Sequence, residues 1–86
     1  MNTIKTEILD KLCYTDLVYQ RINKKLKTNF SNDHIESMLA TVLNETELNF
    51  FKKTGKNFYV SNEINNIRIT INSYTFRVIT VDRIVK

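Results

Sequence analysis

Ile4, Ile8 and Leu12 recur at four-residue spacing with Leu9 beside them, which predicts a short first helix that Asn2 or Thr3 would cap and that ends near Cys13. Thr15 marks the start of a second helix, with Tyr14, Val18, Ile22 and Leu26 along one side, Tyr19 and Arg21 flanking them, and Lys24 and Lys27 pointing away. The clearest helix follows. In NFSNDHIESMLATVLNE, residues Ile35, Met38, Leu39, Val42 and Leu43 fall at i, i+3, i+4, i+7 and i+8, and Ser31, Asn32 and Asp33 offer caps. Its opposite face carries Asp33, Glu36, Ser37, Ala40 and Thr41, and no Lys or Arg occurs from Ser31 to Asn49.

Beyond it the period changes from helical to alternating. Four strands are predicted at about 47–52, 57–62, 67–72 and 75–84, the first of which also reads as a short capped helix. The only glycine, Gly55, sits in KKTGK, where a positive φ would close a hairpin of the type I plus bulge form. The next break, NEINN, relies on Asn65 and Asn66 for left-handed conformations. In IRITIN, Ile67, Ile69 and Ile71 share one face, leaving Arg68, Thr70 and Asn72 on the other. Phe58 and Val60 point inward and Tyr59 outward. The last strand holds two phases: Phe76 with Val78, and Ile79 with Val81. Either a bulge shifts its register or it is covered on both sides. A one-residue slip would exchange Arg77 and Thr75 for Phe76 and Val78 on the outer face. The expected fold is α+β, a single domain over residues 1–86. Three N-terminal helices (about 3–44) pack on one face of a four-stranded antiparallel β-meander (about 47–84).

Charge changes this picture. Residues 1–50 hold six basic and seven acidic side chains, whereas residues 51–86 hold seven basic and two acidic. The positive excess therefore lies in the sheet, and such clustering attracts polyanions such as nucleic acid or an acidic protein face. Other classes are disfavoured. One glycine precludes a glycine-rich phosphate loop. One histidine (His34) and one cysteine (Cys13) preclude paired-histidine and cysteine-based metal motifs, so neither metal nor cofactor is expected. His34 reads as a partly buried boundary residue and Cys13 as a packed core thiol. A lone cysteine fits a reducing compartment, the cytoplasm, and no apolar run approaches the roughly 20 residues of a membrane span. The second and third helices have a helix-turn-helix outline, but Asp33 and Glu36 would face the phosphates and repel DNA.

The open sheet face remains. Lys52, Lys53, Thr70, Asn72 and Thr80 are candidates for RNA contacts, the lysines to phosphates and the polar groups to 2′-hydroxyls. Lys56, Tyr59, Arg68, Arg77 and Arg83 are candidates for metal-independent RNA cleavage. In that scheme the arginines stabilise the phosphorane, and Lys56 and Tyr59 handle protons and stacking. The alternatives are a non-enzymatic RNA-binding or regulatory module and a protein-interaction module, phage-related or paired with an acidic protein partner, that docks through the acidic third helix or the basic sheet. Oligomeric state is not encoded in any pattern of the chain.

The pieces GKNFYV, RITIN and VITVDR, with Thr15, Leu17, Arg21, Ile22 and Leu26 in the helical part, resemble a family of small bacterial proteins known as domain of unknown function 3781. The resemblance covers nearly the whole chain and implies no activity. It implies a histidine where this chain has Asp82, a departure that removes a general base from that position. More loosely, helices followed by a four-stranded sheet with an arginine-bearing Ile-Thr-Val strand are similar to ribonuclease toxins of the RelE and colicin type. That likeness implies RNA cleavage by Lys, Arg and Tyr, and an antitoxin-like acidic partner.

Overall fold

The computed structural model describes residues 4–84. In it the helical periodicities become α1 (Ile4–Lys11), α2 (Asp16–Leu26) and α3 (Asn32–Glu45). The expected caps at Asn2 and Thr3 lie outside the described residues. Ser31 caps α3 as its sequence position implies, its hydroxyl accepting a hydrogen bond from the His34 amide at 3.1 Å. Ser31→Ala is expected to lower folding stability by about 1 kcal/mol in a urea titration; an unchanged midpoint would show that the cap contributes nothing. Thr15 holds the N-cap position of α2, but its side chain makes no capping bond. At the other end Lys27 turns left-handed at φ 58°, and Asn23 fastens the link to α3. Its amide oxygen accepts from the Phe30 amide and the Thr28 hydroxyl, while its amide nitrogen donates to the Phe30 carbonyl.

The strands are β1 (Phe51–Thr54), β2 (Asn57–Asn62), β3 (Ile67–Asn72) and β4 (Val78–Arg83), an antiparallel meander in the order β1-β2-β3-β4. β1 starts later than expected because Leu48–Phe50 form one turn of 3-10 helix, with the Phe50 amide donating to the Glu47 carbonyl. The β1–β2 hairpin differs from the expected bulged form. Thr54 pairs directly with Asn57, and Gly55 alone has positive φ (61°), the sign pattern of a type II′ turn. In the β2–β3 loop Asn66, and not Asn65, is left-handed. Asn65 serves by bonding to the Asn62 side-chain oxygen.

The last strand resolves its two phases through a bulge. Thr70 pairs with Thr80 but Ile71 pairs with Val78, so Ile79 is the extra residue, and both Val78 and Val81 turn inward. Before it, the Asn72 side-chain oxygen accepts from the Tyr74 and Thr75 amides, and Phe76 adopts φ 59°, unusual for a bulky side chain. Packing holds it there, since its ring lies 6.5 Å from that of Phe58 against the core.

One face of the sheet, with Phe58, Val60, Ile67, Ile69, Ile71, Val78 and Val81, is buried against Ile8, Val18, Ile22, Leu26, Ile35, Leu39, Val42 and Leu43 of the helices. A polar pair closes one end of this core. Thr46 donates to the Val42 carbonyl and receives the Asn62 amide at 2.9 Å, both side chains being buried.

The two sheet edges differ. Beside β4, the Cys13 backbone forms a parallel bridge around Arg77, donating to the Phe76 carbonyl and accepting from Val78, both at 3.0 Å. Cys13 is therefore exposed, against the expectation of a core thiol, because the chain uses its backbone at an edge. α2 then runs beside β4 in the same direction. Arg21 meets the Ile79 carbonyl, Lys25 meets Asp82, and Arg83 meets the Leu26 carbonyl. Among the described residues the β1 edge pairs with no further strand, and it carries Lys52 and Lys53.

Candidate functional site

Alternation and register lay the outer face of the sheet out as polar rows. Lys52, Tyr59, Thr70 and Thr80 stand directly opposite one another across all four strands. A second row is Ser61, Arg68 and Asp82, and a third is Thr54, Asn57 and Asn72. Such rows put side chains about 4.8 Å apart, so the first spans about 14 Å. Ile79, pushed out by the bulge, is the only aliphatic residue of these strands beside them.

Five of the candidate residues are thus brought to the same side of the sheet as Tyr59, namely Lys52, Arg68, Thr70, Asn72 and Thr80, but only Lys52 and Arg68 are exposed and Thr70 is buried. Tyr59 is half-buried and its hydroxyl accepts a bond from the Asn57 amide at 3.3 Å. The Thr80 hydroxyl is buried with no partner among the described residues. Arg68 is exposed and unpaired there too, whereas Asp82, its cross-strand neighbour, pairs with Lys25 at 3.2 Å. An acidic side chain at this point is already neutralised by α2.

The other candidates lie elsewhere. Arg83 shares the helix-side face with Ile67 and spends its guanidinium on the Leu26 carbonyl at 2.8 Å, binding the end of α2. Lys53 takes the side of its partner Phe58 and is exposed at the edge, and Lys56 stands in the hairpin turn. Arg77 precedes β4 at its outer edge. It lines a groove of about 210 Å³ with Thr15, Leu17, Arg21 and Ile79. The expected convergence of Arg68, Arg77 and Arg83 on one face is therefore not what the fold produces: the parity of β4 after its bulge puts Arg83, though exposed, on the helix-side face.

Sequence reasoning missed the contribution of α2. Leu17, Arg21 and Lys24 follow at i, i+4 and i+7, with Lys25 adjacent, and form an exposed basic flank continuous with the β4 edge. The helical spacing was the available signal. On the α3 side the charge is reversed, with Asp33, Glu36 and Glu45 exposed and His34 exposed with its ring stacked on Phe30 at 4.2 Å, not at a buried boundary. Tyr19 donates to Glu36 at 2.8 Å and stacks on Tyr14. Burial, with that hydrogen bond, pushes the Tyr19 phenol up to about 12, and burial with the nearby Glu36 charge also raises Tyr14. Both phenols stay protonated at neutral pH and neither can serve as a base.

Among the described residues no helix is long and apolar enough to cross a membrane, and no group of three or more His, Cys, Asp or Glu is placed to hold a metal. No curated protein and no solved structure matches the chain, so the likeness to ribonuclease toxins gains no support. One family does match, through residues 6–82, a span running from α1 to the Asp82 that pairs with Lys25. By that match the chain belongs to the family described as Protein of unknown function (DUF3781).

Proposed function

We propose that this protein is a non-enzymatic module that binds single-stranded RNA across the outer face of its sheet. The observation that carries this reading is the row Lys52, Tyr59, Thr70 and Thr80 with Arg68 beside it. The half-buried Tyr59 ring, with exposed Lys52 opposite and exposed Arg68 on the next strand, suits splayed bases, which stack on the ring while phosphates meet Lys and Arg. The third helix is a poor reader of a duplex groove, since it presents exposed Asp33 and Glu36. Binding is favoured over cleavage because Arg83 is committed to α2 and Lys56 stands in the hairpin turn, outside the row. The exposed thiol of Cys13 suits a reducing compartment such as the cytoplasm.

Fluorescence anisotropy with a labelled single-stranded RNA tests this. If Lys52, Arg68 and Arg77 each meet a phosphate, the slope of log K against log salt should be about −2, or roughly 16-fold weaker binding for a fourfold rise in salt. Arg68→Ala should reduce that slope by about 0.7. Tyr59→Ala should weaken binding by roughly tenfold without changing the slope. Lys5→Ala, whose ammonium bonds to the Asn44 carbonyl on the helix side, should change neither. Salt-insensitive or absent binding would remove the reading, and a cleavage ladder in chelator would replace it with the enzymatic one.

A further inference from the structure

We infer that the groove between α2 and β4 holds the terminal phosphate of the bound strand, a phosphomonoester gripped by Arg21 and Arg77; this rests on the RNA-binding reading of the adjoining face. The groove is built to hold Arg77 still. Its carbonyl accepts from the Asn72 amide at 2.9 Å and its amide donates to the Thr75 hydroxyl at 3.3 Å. The Cys13 bridge fixes both neighbouring peptide units, with left-handed Phe76 before it and the bulge after it. Bulges beside sites commonly re-aim a side chain. For all this backbone fixation, the guanidinium of Arg77 has no partner among the described residues.

Arg21 is anchored in turn by one donor, Nη1 to the Ile79 carbonyl at 3.2 Å, which leaves its remaining N–H groups for a ligand. Thr15, at the mouth, does not use its hydroxyl to cap α2. No carboxylate lines the groove. Two guanidiniums with a hydroxyl match the oxygens of a dianion better than those of a singly charged diester.

Position supplies the second argument. Thr80 ends the row on β4 and Ile79, its neighbour, lines the groove. A strand crossing the sheet from Lys52 to Thr80 arrives beside this groove, which places its end within reach of Arg21 and Arg77.

The test compares one RNA sequence with a 5′-phosphate, a 3′-phosphate or hydroxyls at both ends. One phosphorylated form should bind about tenfold tighter than the hydroxyl form, and Arg77→Ala should abolish that difference beyond any loss of affinity that it causes for the hydroxyl form. Which end is preferred gives the polarity of the strand. Equal affinity for all three overturns the inference and leaves the RNA reading in place. Should no RNA bind, phenyl phosphate titrated into the protein decides the groove alone: shifts of the Arg21 and Arg77 Nε–H resonances, absent in Arg77→Ala, support it, and unmoved resonances overturn it.

Discussion

Replacing Ile69 by alanine is expected to lower folding stability by about 2–5 kcal/mol, the cost of lost transfer energy plus the cavity left behind. Ile69 is wholly buried and sits directly between Val60 and Val81 on the inner face of β3, in the middle of the sheet. A domain of this size has about 4–13 kcal/mol to lose, so the urea midpoint should fall by a large fraction. Its neighbour gives the contrast. Arg68→Ala, one residue away but on the outer face, should change stability by less than about 0.5 kcal/mol while altering RNA affinity. A destabilised Arg68→Ala with an unaffected Ile69→Ala would mean that the assignment of faces is wrong.

The second large effect is expected at the buried pair Thr46 and Asn62. Thr46→Val keeps the shape but leaves the Asn62 amide hydrogen without its acceptor, at a cost of about 1–3 kcal/mol. Asn62→Ala should cost at least as much, because the same side chain also receives the Asn65 backbone amide at 2.9 Å and so shapes the β2–β3 loop. Combining Thr46→Val with Asn62→Ala removes donor and acceptor together. The double variant should therefore lose about 1 kcal/mol less than the sum of the singles in a thermodynamic cycle followed by urea denaturation. Strict additivity would show that the two groups do not depend on each other.

Most of the architecture was legible because the pattern changes period once, from the stripe Ile35, Leu39, Val42 and Leu43 to the alternation of Ile67, Ile69 and Ile71. β2 and β3 lie at the expected residues, since each is simply alternating and bounded by Asn or Gly. What escaped the sequence was whatever depends on a single backbone irregularity. The phase conflict in VITVDR announced a bulge or a buried strand but not which, and the choice reversed the direction of Arg83. Nor did composition reveal that Cys13 contributes through its peptide groups at a sheet edge, with its thiol donating to the Thr75 carbonyl at 3.4 Å. The site was half legible for the same reason. Lys52, Tyr59, Arg68, Thr70 and Thr80 follow from alternation plus register, whereas the pairing of Arg21 with Arg77 needs the packing of a helix against an edge 56 residues later in the chain.

The unequal edges of the sheet carry a consequence for how copies of this protein behave in crowded solution. With β4 sealed by the Cys13 bridge and α2, growth of the sheet by strand addition has one route, through β1. Two molecules approaching that way would bring Lys52 and Lys53 of each against the same lysines of the other, an encounter that electrostatic repulsion opposes and added salt relieves. Ionic strength should therefore push self-association and RNA capture in opposite directions, so a concentrated stock is best kept at low salt.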